Sequence, residues 1–139
     1  MADDTKNLEQ LTDSKFTDEV LKTPGLVLLD FYADWCGPCM QMLPTVKTAA
    51  VQYDGKMRFY KIDADNVDEC GGLLAQYKVR SIPTYYILNI KGVQPHADGE
   101  KADVDVEIIE KIVGSLDGLT FLQKIEEAVK KMFSDEKVA

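Results

Sequence analysis

Leu28-Leu29-Asp30-Phe31-Tyr32-Ala33-Asp34-Trp35-Cys36-Gly37-Pro38-Cys39 begins as an apolar run and ends in two cysteines separated by two residues. From Leu26 to Tyr32 the run is apolar except at Asp30, the pattern of a buried central strand. A dithiol at the end of a buried strand is a catalytic layout. The rest of the chain reads as the scaffold that makes those two sulfurs reactive.

Working outward, the pattern changes at Gly37 to a helix reaching about Tyr53, with Met42, Leu43, Val46, Ala49 and Ala50 on one side. Pro38 suits a first helical turn because its missing N–H has no partner there. Pro44 lies inside the same helix and is expected to kink it. Upstream, Leu8 to Leu11 can add a short edge strand. Thr12-Asp13 offers a helix cap, and Phe16, Val20 and Leu21 recur at helical spacing until Thr23-Pro24-Gly25.

Downstream, Met57 to Asp63 reads as the next strand, and Asp65 to Tyr77 as a helix broken by Gly71-Gly72. Tyr85 to Ile90 is a strong strand, with Tyr85 and Tyr86 directed to opposite sides. Lys91 to Asp103 is a polar loop rich in Gly, Pro and Asp. Val104 to Val113 is assigned as a strand with Val104, Val106, Ile108 and Ile112 on one face; a helix also fits its spacing. Phe121, Leu122, Ile125, Val129, Met132 and Phe133 mark an amphipathic last helix, followed by a tail from Ser134 to Ala139. Strand, helix, strand, helix, strand with long connections argues for parallel crossovers in an α/β fold.

The 139 residues fit a single domain, 1–139, with residues 1–7 and 134–139 expected to be flexible. Hydrophobic residues make up 45% and charged residues 29%, an ordinary balance for a globular protein. A formal net charge of -8, from 24 acidic and 16 basic residues, argues against nucleic acid or an anionic membrane as partner. No segment approaches the ~20 apolar residues of a membrane span. Met1-Ala2-Asp3-Asp4-Thr5-Lys6 has no basic region followed by an apolar run, so no secretory leader is expected. Three cysteines are too few for a disulfide scaffold, and their number is odd. A reducing compartment, the cytoplasm, is the expectation; there a Cys-x-x-Cys pair is catalytic or metal-binding. A zinc site needs two further ligands, and Cys70 and His96 are the candidates, both distant in sequence. No bound metal is expected. Cys70 reads as a small filler beside Gly71, with a regulatory thiol as the alternative. His96 reads as a solvated loop residue.

The segment Asp30 to Cys39 closely resembles the thioredoxin family, whose Trp-Cys-Gly-Pro-Cys pentapeptide it carries as Trp35 to Cys39. Ile82-Pro83-Thr84 is similar to the family's cis-proline loop, and Lys61 and Pro44 to its strand lysine and kinking proline. Val113-Gly114-Ser115-Leu116 is similar to the segment before its last helix. The resemblance covers roughly residues 8 to 133 and implies a mixed sheet flanked by helices, with the dithiol at a helix N-terminus. Tyr32 and Met40 replace a tryptophan and a lysine frequent in the family, and the second change removes a positive charge beside the dithiol. Pro83 and Gly114 lie 31 positions apart, which implies an extended hairpin between the last two strands.

The resemblance implies a redox-active disulfide, Cys36–Cys39, and a thiol–disulfide oxidoreductase without a bound cofactor. Cys36 is expected to attack a target disulfide as a thiolate, and Cys39, less exposed, to resolve the mixed disulfide. Gly37 and Pro38 hold the two sulfurs in range. Asp30, an acid in an apolar strand, is expected to have a raised pKa and to take the proton from Cys39, with Lys61 moderating it. Trp35, Ile82, Pro83 and Gly114 would form a shallow groove in which an extended substrate segment adds as a strand.

Three functions follow: a protein-disulfide reductase, an oxidase or isomerase of the same fold, or a binding module using the 91–103 loop. The first is preferred, with an NADPH-dependent thioredoxin reductase and disulfide-containing proteins as partners. A monomer is expected, without nucleic-acid or membrane binding.

Overall fold

A computed structural model describes residues 7–94 and 103–137. The elements are β1 (Leu8–Gln10), α1 (Asp13–Lys15, continuing as a π-helical turn over Phe16–Val20), β2 (Gly25–Tyr32), α2 (Gly37–Gln52) and β3 (Met57–Asp63). They are followed by α3 (Val67–Gln76), β4 (Thr84–Gln94), β5 (Asp103–Val113) and α4 (Gly118–Lys137). One five-stranded sheet has the order β1-β3-β2-β4-β5. β1, β3 and β2 run parallel, while β4 is antiparallel to β2 and β5 antiparallel to β4. This is the mixed sheet of the thioredoxin fold, with β2 at its centre.

Side-chain alternation along β2 divides the core into two layers. Leu26 and Leu28 join Met42, Val46, Tyr85, Phe121 and Ile125 on the face covered by α2 and α4. Val27, Leu29 and Phe31 join Phe16, Leu73, Tyr77, Tyr86 and Leu88 on the face covered by α1 and α3. Tyr85 and Tyr86 therefore do point to opposite sides. With both faces covered, β2 must be apolar throughout, which is why its sequence reads as a continuous run. Asp30 is the exception.

Four expectations are corrected. Helix α3 is not broken at Gly71-Gly72. Gly72 instead lets Asp13 approach: Gly72 N–H and Leu73 N–H each donate to the Asp13 carboxylate at 2.8 Å. A Cβ on Gly72 would stand 2.8 Å from that carboxylate, whereas one on Gly71 meets open space. Second, Lys91–Gln94 and Asp103 are not loop, because the two last strands extend to pair Gln94 with Asp103. Lys91 is exposed there, so its charge does not oppose an extended strand; the rest of the expected loop, 95–102 with His96, lies outside the described residues.

Third, Val104–Val113 is a strand, but its apolar residues do not share one face. The register slips between Ile87 and Leu88, leaving Ile109 as an extra residue. The bulge turns Ile109 and Ile112 toward α2 and α4, while Val106 packs with the α3 layer. Fourth, α4 continues to Lys137 past the expected start of the tail, since no Gly or Pro stops it after Phe133. Residues 1–6 and 138–139 lie outside the described residues.

Candidate functional site

At its C-terminal end β2 leads through Ala33-Asp34-Trp35 to α2, whose N-cap is Cys36. The cap is the cysteine sulfur itself: Cys36 Sγ accepts a hydrogen bond from Cys39 N–H at 3.2 Å. The first turn of a helix has free N–H groups and the positive end of the helix dipole. Both favour negative charge on this sulfur. Gly37 and Pro38 occupy the first two helical positions, where proline's missing N–H leaves no gap in the ladder.

Cys36 and Cys39 form a disulfide, with Cα atoms 5.3 Å apart. Both residues are 4% exposed, so the expected difference in accessibility is absent. What distinguishes them is position: the sulfur of Cys36 caps the helix and that of Cys39 lies within its first turn. The pair packs against Ala33, Tyr32 and Ile82. The Ile82–Pro83 peptide is cis, as the resemblance implied. Pro83 C=O accepts from Gly114 N–H at 2.8 Å, tying the loop to the end of β5. Gly114 has φ +89°, a conformation that side chains rarely adopt.

Trp35 is 71% exposed, and its indole Nε1–H donates to Asp65 Oδ2 at 2.8 Å. Asp65 is in turn fixed by its own N–H to Asp63 Oδ1 at 2.9 Å. Sequence reading missed Asp65; two acids straddling one alanine at a strand end were the available signal. Tyr32 O–H donates to Gln10 Oε1 at 3.1 Å, and Lys61 Nζ lies 5.6 Å from the centre of the Tyr32 ring. The tyrosine thus uses its polar tip in a way a purely apolar residue would not.

Asp30 lies in the layer under α2, 4% exposed, with Lys61 as its Cα partner on β3 and Tyr85 on β4. Its Oδ1 has no hydrogen-bond partner among the described residues. Burial pushes its pKa up to about 7, against the opposing influence of the Lys61 ammonium. A carboxyl poised near neutrality can accept or return a proton, which suits it to general base work.

Cys70 is buried in the opposite layer and donates to Leu11 C=O at 3.4 Å. Its thiol pKa is raised, first by burial and then by the nearby Asp13 carboxylate. That environment fits a filler and not an exposed regulatory thiol. Among the described residues no three His, Cys, Asp or Glu side chains gather as metal ligands, and no helix is long and apolar enough to cross a membrane.

The thioredoxin family model matches residues 7–112. Curated proteins similar to this chain include Thioredoxin 1 of Nostoc sp., 40% identical over 117 residues, 84% of this chain and 92% of the relative. The thioredoxin of Chlorobaculum thiosulfatiphilum is 36% identical over 120 residues, 86% of this chain and 94% of the relative. Thioredoxin M2, chloroplastic, of Arabidopsis thaliana is 39% identical over 115 residues, 81% of this chain and 56% of the relative.

Proposed function

We propose, on the premise that this chain belongs to the thioredoxin family and is a thiol–disulfide oxidoreductase, that it works as a protein-disulfide reductase. The observations that support the assignment of roles are the cysteine sulfur that caps α2 and the burial of Asp30 in the layer under that helix, which pushes its pKa up to about 7.

In the reduced protein Cys36 is the nucleophile. Its thiolate attacks one sulfur of a substrate disulfide, breaking the substrate S–S bond and releasing one substrate thiolate. Asp30 then takes the proton from Cys39. The Cys39 sulfur attacks Cys36, the bond from Cys36 to the substrate breaks, and the second substrate thiol leaves. Two electrons pass to the substrate and the Cys36–Cys39 disulfide remains. An NADPH-dependent flavin reductase returns two electrons and completes the cycle.

Gly37 and Pro38 keep the sulfurs within bonding range, and Lys61 keeps Asp30 from remaining protonated throughout the neutral range. Trp35, Ile82, Pro83 and Gly114 line the groove that receives an extended substrate segment as an added strand. Trp35, held by Asp65, offers an exposed ring for that segment. The chain acts as a monomer in a reducing compartment, the cytoplasm, where a thiol such as Cys70 stays free.

Reduction of insulin disulfides, driven by NADPH and a thioredoxin reductase, tests this. Wild type is expected to turn over and Cys36→Ser to be inactive. A wild type no faster than Cys36→Ser would overturn the reductase reading and leave a binding module.

A further inference from the structure

The layer between the sheet and α2/α4 holds a second unpartnered polar atom. Tyr85 is 1% exposed, and its hydroxyl, like Asp30 Oδ1, has no hydrogen-bond partner among the described residues. Buried hydroxyls and carboxyls left unpaired are rare because each loses its hydration without replacement. Here two such groups belong to directly opposed residues, Asp30 on β2 and Tyr85 on β4, whose side chains leave the sheet on the same face. Opposed residues in an antiparallel pair bring their Cβ atoms to about 5 Å. The Tyr85 ring is held edge-on to Phe121 of α4, centroids 5.1 Å apart, so its direction is fixed by packing. A tyrosine is an odd choice for this face. Its ring could be a phenylalanine's, and the hydroxyl adds only a buried polar group.

We infer that Tyr85 is a positioning residue for Asp30: its hydroxyl donates toward the Asp30 carboxylate through one buried water and holds the ionised form. A water needs at least two polar partners in such a layer, and these two groups supply them. The electrostatics agree, since the Asp30 charge raises the Tyr85 pKa after burial itself. The other ionisable groups that interact with Asp30 are Lys61 from β3 and Tyr32 from β2 itself, whose pKa is raised first by burial and in smaller part by the Asp30 charge. At the partly exposed rim the Glu110–Lys124 ion pair, 2.9 Å, joins β5 to α4.

This inference rests on the base role proposed for Asp30. When Cys39 gives its proton to Asp30 and attacks Cys36, the carboxylate must be ionised at the start. A donor aimed at it enlarges the ionised fraction at neutral pH. Removing the donor should raise the Asp30 midpoint by about one pH unit and cut the ionised fraction at pH 7 roughly fivefold.

The test is Tyr85→Phe, which keeps the ring on Phe121, compared in wild-type and Asp30→Asn backgrounds. The Asp30 midpoint is read by carbon NMR of its carboxyl, and insulin turnover is followed from about pH 6 to 9. The expected result is a higher midpoint and about fivefold slower turnover at pH 7, recovering toward pH 9, with no effect in the Asp30→Asn background. An unchanged Asp30 midpoint overturns the inference, as does an equal loss of rate in the Asp30→Asn background, which would mark Tyr85 as merely structural. If Asp30→Asn itself turns over at the wild-type rate, the base role fails. The midpoint in Tyr85→Phe then still decides whether the hydroxyl acts on the carboxyl.

Discussion

Replacing Asp30 with Asn should remove a pH-dependent loss of stability, and its size can be worked from the site. The folded midpoint is about 7, set by burial against the weaker pull of Lys61. An unfolded aspartate titrates near 3.9. Between these values the unfolded chain is ionised while the folded one stays protonated, so the folded state binds the extra proton. Stability supplied by the protonated acid is therefore fully present below about pH 4 and lost as pH rises through about 7, at about 1.4 kcal/mol per unit. Across about three units the loss is on the order of 4 kcal/mol. Asp30 is 4% exposed, so little solvent screening reduces that figure.

An amide in its place does not titrate. Urea unfolding of the oxidised wild type and Asp30→Asn, in parallel from about pH 4 to 8, should show the gap moving in the variant's favour by about 4 kcal/mol. The change in gap is the quantity to read, because the amide's own fit adds a constant at every pH. A gap constant to within about 1 kcal/mol, or one moving in favour of wild type, would show that Asp30 is not a buried acid with a raised pKa.

Cys39→Ser should accumulate a mixed disulfide between Cys36 and insulin, visible by mass spectrometry, because nothing remains to resolve it. Cys36→Ser should trap none under the same conditions. Gly72→Ala should lower stability by about 1–3 kcal/mol in urea unfolding, since its methyl meets the Asp13 carboxylate. Gly71→Ala, one residue earlier and facing open space, should be neutral or stabilising by up to about 1 kcal/mol. Cys70 should resist diamide and alkylating agents in the native protein and react once urea unfolds it, as checked by peptide mapping.

Local chemistry made much of this fold legible in the sequence. The run from Leu26 to Tyr32, the proline in the first turn of α2 and the Thr12 cap each act within a few residues, so pattern alone locates them. Thr12 does accept from Lys15 N–H, at 3.3 Å. The dithiol and Asp30 were legible for the same reason, a carboxyl in an apolar run being conspicuous. What escaped depends on contacts between distant segments. Gly71-Gly72 looked like a helix break because the purpose of Gly72 is Asp13, distant in sequence, and Gly71 merely adjoins it. The faces of β5 were misassigned because the extra residue at Ile109 is defined only by its pairing with β4. In the sequence Tyr85 stands out only as one of two strand tyrosines directed to opposite sides, and its register opposite Asp30 is what gives its hydroxyl a significance. Residue-level burial also failed to separate the two cysteines, whose difference lies in helix position.

If the cysteine capping α2 makes this chain a reductant of protein disulfides, as proposed, its dithiol must be strongly reducing. Equilibrating the Cys36–Cys39 pair with graded dithiothreitol buffers, and reading the oxidised fraction by thiol trapping, measures its potential directly. A value near about -270 mV, the range of disulfide-reducing members of this family, is the expected result. A value near about -180 mV or above, the range of isomerases and oxidases, would contradict it.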